Sequence, residues 1–252
     1  INRDSIIKEN DIVYFISTPK HISEVIKICG QSRFEIKNIM ILGGSPMAII
    51  TAEALEKKYN VTLIERDKSK AEEIANRLKN TLVINVDGRN VSALEEENLE
   101  DMDAFISLTG DSETNIISSL VAKSHNVKKT IARVENIDYI DLSHNIGIDT
   151  LINKKIIAAN EIFKYVRKGE IRAVVNLHDL NAELIEFDVK EGTKITTKPL
   201  RELKFPKNSI IAGVIRDDEG IVPFGGFQVQ AGDKAVVFIK TEAVSEIEDF
   251  FN

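Results

Sequence analysis

The chain has no tryptophan and only one cysteine, Cys29, in its 252 residues. A single thiol excludes an internal disulfide framework and any metal site built from several thiolates, and it is the cysteine usage of a reducing compartment. An excess of positive charge is missing too: 33 Lys and Arg face 40 Asp and Glu, a net charge of -7. Without a basic surface there is little to displace counterions from phosphates, so no nucleic-acid partner is expected. No apolar run approaches the ~20 residues that a bilayer-crossing helix needs, which argues against direct membrane insertion. His21, His125, His144 and His178 are scattered without metal-ligand spacing. Tyr165 and Lys168 stand three apart rather than four, so the Ser/Tyr/Lys set of a short-chain dehydrogenase is absent as well. Neither an initiator Met nor a signal peptide precedes Ile1, and the chain reads as a piece of something longer. What is present, 43% hydrophobic and 29% charged residues, suits one large globular domain or two smaller ones.

The most informative stretch runs from Asn38 to Ala48. It reads as a buried strand (Ile39-Met40-Ile41-Leu42), a glycine turn (Gly43-Gly44) and a helix start, where a dinucleotide-binding fold sets down a pyrophosphate. A second strand-like run, Val61 to Ile64, ends in Glu65, 22 residues after Gly43. A carboxylate at that spacing accepts hydrogen bonds from the two hydroxyls of an adenosine ribose, and it repels the 2′-phosphate of NADP. The glycine motif itself is altered to Gly43-x-Ser45-x-x-Ala48, with Pro46 inside the turn. Ser45 adds a side chain where backbone should approach pyrophosphate, and Pro46 removes an N–H donor. The same two residues make a sound helix start, Ser45 as N-cap and Pro46 at the first helical position. A worn-down phosphate loop and a working one both remain open at this level.

From residue 38 to about 153, short apolar runs alternate with helical periodicity. Strands are expected at 39–43, 61–65, 82–86, 104–108, 130–134 and 149–152. Three intervening helices are expected to bury Met47, Ile50, Ala54 and Leu55; Ala71, Ile74, Ala75 and Leu78; and Ile117, Leu120, Val121 and Ser124. Such alternation predicts an α/β domain, a Rossmann-type doubly wound parallel sheet. A crossover helix over about 154–168 is apolar on more than one narrow stripe and stops at Gly169. Beyond it, strand-like runs at 173–177, 182–189, 210–216 and 235–239, turn signals at 217–220 and 231–233, a short helix over 199–203 and a closing helix over 242–251 predict a small α+β domain. The first 30 residues echo that ending. At a shift of 222 positions Asp11 meets Asp233 and Ser23-Glu24 meets Ser245-Glu246, with a strand expected at Val13–Ile16.

In this order the segments Leu63-Ile64-Glu65-Arg66-Asp67, Val86-Asp87-Gly88, Leu108 to Asn115 (LTGDSETN) and Ile131-Ala132-Arg133-Val134 resemble the RCK (regulator of potassium conductance) domain family, in the tandem TrkA-type form that regulates Trk potassium uptake systems. The resemblance covers residue 37 to the end. It implies a Rossmann-type lobe at 37–153, a crossover or dimerisation helix at 154–169 and a C-terminal lobe at 170–252, with residues 1–30 as the tail of a preceding C-terminal lobe. It implies NAD(H) or ATP/ADP as ligand, held by Gly43, Gly44, Ser45, Glu65, Arg66, Asp87, Thr109, Gly110 and Arg133. It implies a homo-oligomer, dimer or larger ring, in the cytoplasm at the inner face of the membrane, beneath a membrane-embedded potassium transporter or channel subunit. The expected role is regulation rather than catalysis. An NAD-dependent oxidoreductase on the same fold and a purely structural half without ligand are the rival readings.

Overall fold

A computed structural model describes the chain except residues 1–5, 10, 12, 31–33, 137, 140–145, 167–169 and 178–180. His144, His178 and the expected helix stop at Gly169 therefore lie outside the described residues. The chain divides into two compact units, Phe34–Ala158 and a second one made of Ile1–Arg33 with Ala159–Asn252.

The first unit is a six-stranded sheet in which every neighbouring pair is parallel. Its strands are β1 (Asn38–Leu42), β2 (Asn60–Ile64), β3 (Thr81–Ile84), β4 (Ala104–Ser107), β5 (Lys129–Arg133) and β6 (Thr150–Ile152). They lie in the order β3-β2-β1-β4-β5-β6. The chain winds outward from β1 in both directions, which leaves a crevice beyond the carboxyl ends of β1 and β4. β1 and β4 are buried almost throughout because helices cover both faces of the sheet. All six strands fall where the sequence places them, within about two residues.

The helices correct the expected faces. α1 (Ile22–Ile28) precedes the sheet; α2 (Pro46–Leu55), α3 (Lys68–Arg77), α4 (Val91–Glu96) and α5 (Ser112–Ser124) connect its strands. In α2 the buried residues are Ala48 and Ala52, while Ile50 is 62% exposed. The helix is apolar nearly all round, so periodicity alone does not choose a face, and two alanines let the backbone approach the sheet closely. α3 behaves as expected at Ala71, Ile74 and Leu78, and Ala75 faces solvent. α5 departs furthest: Asn115, Ser118, Ser119 and Ala122 are buried, and Ile117 is 61% exposed. Those four share one helical face at the i, i+3, i+4, i+7 spacing, but they are small or polar, and hydropathy passes over them.

α6 (Lys154–Val166) carries the chain from the first unit into the second. There β7 (Glu170–Leu177), β8 (Ala182–Asp188), β9 (Ser209–Arg216), β10 (Glu219–Ile221) and β11 (Lys234–Lys240) form an antiparallel sheet in the order β10-β9-β11-β8-β7. Its core includes Phe187 stacked on Phe251 at 4.1 Å between ring centroids. The sequence places the start of β10 within a turn at 217–220. The turn is only Asp217-Asp218, both at positive φ (52° and 62°), the pair that closes a tight hairpin, and Glu219 already belongs to the returning strand. The expected helix at 199–203 is a 3₁₀ turn, Leu200–Glu202, and the closing helix α7 is Val244–Glu248 after a 3₁₀ turn at Thr241–Ala243. Val13–Ile16 do not form the expected strand. Among the described residues they join no sheet, so their backbone lacks the ladder partner that defines one.

Candidate functional site

The carboxyl ends of β1, β2 and β4 and the loop after β3 enclose a cleft of about 880 Å³. It is lined by Gly43, Gly44, Ser45, Glu65, Arg66, Asp87, Thr109 and Gly110 among others. Eight of the nine residues named from the sequence are thus brought to one place. Arg133 is not among the lining residues: its Nε donates to Glu135 Oε1 at 2.7 Å and its Nη1 to the Thr109 carbonyl at 3.2 Å. In that position it braces the loop after β4 from behind.

Gly43 leaves β1 at φ 97°, a conformation closed to most side chains, and a Cβ there would lie 3.0 Å from Thr109 backbone. The turn therefore brings the β1 and β4 ends together over the sheet. Its N–H still donates to Ile64 O at 2.8 Å, which ties the loop to β2. Ser45 is the N-cap of α2, accepting from Ala48 N–H at 3.3 Å, and its hydroxyl donates to Leu108 O at 2.7 Å. Pro46 follows at the first helical position. So the residues that alter the glycine motif have a structural task, pinning α2 to the end of β4.

Glu65 is 7% exposed. Its Oε2 accepts from Gly44 N–H at 2.7 Å and sits 3.5 Å from Lys70 Nζ, and its Oε1 accepts from Asp67 N–H at 2.9 Å. A carboxylate has about four lone-pair sites, so each oxygen retains capacity for a further donor from the cleft. Gly44 is glycine for the same reason: a Cβ would stand 2.6 Å from Glu65 Oε2. Lys70 lines the cleft and was not singled out in the sequence, because an exposed helical lysine carries no motif.

At the other wall Asp87 accepts from Arg89 through Nε and Nη2 and from the Arg89 N–H, and this lowers its carboxyl pKa to about 2. Gly88 beside it packs closely on Leu42: a Cβ would meet Leu42 Cδ1 at 2.1 Å and force that side chain to shift. Beneath Thr109 lies Asn115, 1% exposed. Its Oδ1 accepts from Ser107 Oγ, Thr109 N–H and Thr109 Oγ1, and its Nδ2 donates to Thr109 O and Arg133 O. Asp111 caps α5 through Thr114 N–H at 2.8 Å, and the Thr114 side chain and then this N–H lower its carboxyl pKa. Among the described residues no group of three or more His, Cys, Asp or Glu is placed to hold a metal.

A nucleotide fits this arrangement at its adenosine end better than at its phosphates. The cleft is large enough for a small-molecule ligand, and at the end of β2 the Glu65 carboxylate has acceptor capacity for hydroxyl donors. The phosphate loop is poor in donors. The N–H groups of Gly43, Gly44 and Ala48 have acceptors within the protein, and Pro46 has none to give.

A six-stranded parallel sheet with a cleft at its switch point, followed by a small antiparallel sheet, defines a Rossmann-type α/β lobe with a second, smaller lobe after it. Family models match a TrkA-N domain over residues 39–154 and a TrkA-C domain over residues 184–252, and the chain belongs to that TrkA family. It is 36% identical over 250 residues to Trk system potassium uptake protein TrkA homolog 1 of Methanosarcina mazei, covering 98% of this chain and 56% of that protein. It is 30% identical over 248 residues to Trk system potassium uptake protein TrkA of Azorhizobium caulinodans, covering 97% of this chain and 54% of that protein. The chain spans about half the length of the curated relatives it matches. Among solved structures, a GsuK channel bound to NAD aligns with TM-score 0.55 over 86% of this chain and 40% of its own, and a GsuK RCK domain with 0.53 over 90% and 52%. At 16% and 15% identity these two show a shared fold.

Proposed function

We propose that this chain is part of a regulatory, non-enzymatic subunit of a potassium uptake system and that it responds to an adenosine nucleotide, NAD(H) or ATP/ADP. The observation that carries the proposal is the buried Glu65 carboxylate at the base of the cleft, oriented by Gly44 and Asp67 N–H groups and retaining acceptor sites toward the ligand. In this reading the ribose hydroxyls donate to Glu65. Arg66, Lys70 and Arg89, the cations that line the cleft, face the ligand's negative charge. The kinship with TrkA proteins supports a membrane-embedded potassium transporter or channel subunit as partner, with the chain on the cytoplasmic side. A ligand shifts such a partner only through unequal affinity for two arrangements of the assembly.

The phosphate loop limits affinity in this copy. Each missing hydrogen bond to a charged phosphate costs on the order of 1.5–3 kcal/mol, about ten- to a hundredfold in affinity. Ser45→Gly with Pro46→Arg is therefore expected to tighten NADH binding by at least about tenfold in a calorimetric titration. An unchanged affinity would show that the loop is not what limits binding. Steady consumption of NADH with carbonyl substrates would favour an oxidoreductase instead.

A further inference from the structure

The outer face of the β9–β10 hairpin has an unusual make-up. Gly220 pairs with Ile215 across the hairpin and Ile221 with Val214. Side chains directly opposite each other share a face, so Gly213, Ile215 and Gly220 lie together on the side away from Val214 and the core. A solvent face of an antiparallel sheet ordinarily carries polar residues. This one carries two glycines and the β-branched Ile215. A Cβ added at Gly213 would lie 3.7 Å from Ile16 Cγ2, and one at Gly220 would lie 2.6 Å from Thr18 Cγ2. Ile16 and Thr18 are two residues apart, the spacing at which an extended chain puts side chains on one side. Both belong to the same compact unit as the hairpin.

The segment's origin is written in its preceding turn. Lys8 N–H donates to Asp11 Oδ2 at 2.8 Å and Asp11 N–H to Lys8 O at 3.2 Å. At the shift of 222 positions, Gln230 N–H donates to Asp233 Oδ2 at 2.8 Å and Asp233 N–H to Gln230 O at 3.2 Å. The second turn leads into β11, the last strand of its lobe; the first leads into residues 13–18. α1 (Ile22–Ile28) then follows as α7 follows β11. Tyr14 and Phe15 remain 46% and 53% exposed, as do Ile6 and Ile7 at 79% and 69%.

We propose that the outer face of the β9–β10 hairpin is a docking face for the closing segment of a lobe of this kind, and that residues 13–18 are the extended segment it receives. Gly220 is the seat for Thr18, Ile16 packs beside Gly213, and the missing side chain at Gly220 sets the register. The nucleotide reading plays no part in this assignment.

Two measurements on the whole chain test it. In a Cys29→Ser background, Thr18→Cys with Gly220→Cys should form an intrachain disulfide under mild oxidation, whereas Thr18→Cys with Lys190→Cys, on the β7 side of the sheet, should not. Equal yields from the two pairs, or none from the first, would overturn the proposal. Gly220→Val should also raise the rate of chymotrypsin cleavage after Tyr14 and Phe15 by about tenfold or more, because cleavage follows the population of the undocked segment. An unchanged rate counts against the seat. Should that variant also lose the near-ultraviolet signature of the folded lobe, the crosslink alone decides.

Discussion

At the scale of single residues, the Asn115 amide binds five partners from a position almost without solvent access, and they hold the end of β4, the loop after it and the end of β5 in one arrangement. Asn115→Ala leaves the Thr109 N–H and the Arg133 carbonyl without these partners in a buried place, so it should destabilise the first unit by about 2–3 kcal/mol. Urea denaturation of the variant checks this, and a loss below about 0.5 kcal/mol would mean that water replaces the amide without cost. The motif LTGDSETN holds this residue in plain sight. Yet the sequence draws the eye to Thr109 and Gly110, because a ligand-facing loop residue has a known chemical task, whereas an asparagine that organises the loop from below has no pattern of its own. Arg133 shows the converse. Its charge suggests a phosphate ligand, and only the positions of Glu135 and the Thr109 carbonyl show that the guanidinium is already engaged.

At the scale of elements, strands were legible and helix faces were not. A strand buried on both sides, such as β1 or β4, is a continuous apolar run bounded by turns, and no other placement of those residues avoids exposing them. A helix that packs through small residues gives no such signal. α5 turns Ser118 and Ser119 to the sheet and leaves Ile117 beside an apolar groove with Val91 and Val121. His125, at the end of α5, bonds Glu95 of α4 through Nε2 at 2.8 Å. The Val121 carbonyl and then the Glu95 carboxylate raise its pKa above 6.5, with Glu100 adding to the effect. A raised folded-state pKa contributes stability that is fully present below about 6.5 and is lost as pH rises through the folded value. Glu95→Gln should therefore flatten the pH dependence of stability above about 6.5. Thermal unfolding across that range checks it, and an unchanged slope would show that the pair contributes nothing.

At the scale of the whole molecule, α6 links two independently compact units, and it bears Ile157, Ile162, Phe163 and Tyr165 at 46–88% exposure. That much exposed apolar surface on one helix fits a subunit contact. Replacing Phe163 by Asp should convert an oligomer into a slower-sedimenting species of half the mass or less at micromolar concentration. A wild-type chain that sediments as a clean monomer would remove the basis for this expectation. The two-lobed architecture was recoverable from the sequence because the change from βα alternation to short strands and turns is abrupt after residue 170. The strand expected within the N-terminal echo does not form among the described residues, since pairing depends on a neighbour that periodicity does not reveal. Under the proposed function, Glu65 holds an adenosine nucleotide in a cleft whose phosphate loop is weak. The most direct test is a calorimetric titration of NADH into the wild-type chain and into Glu65→Ala. Saturable binding weaker than about 1 μM in the wild type, lost or reduced at least about tenfold in the variant, is the predicted result. Equal binding by both proteins, or no heat from NADH, NAD, ATP or ADP with either, would contradict it.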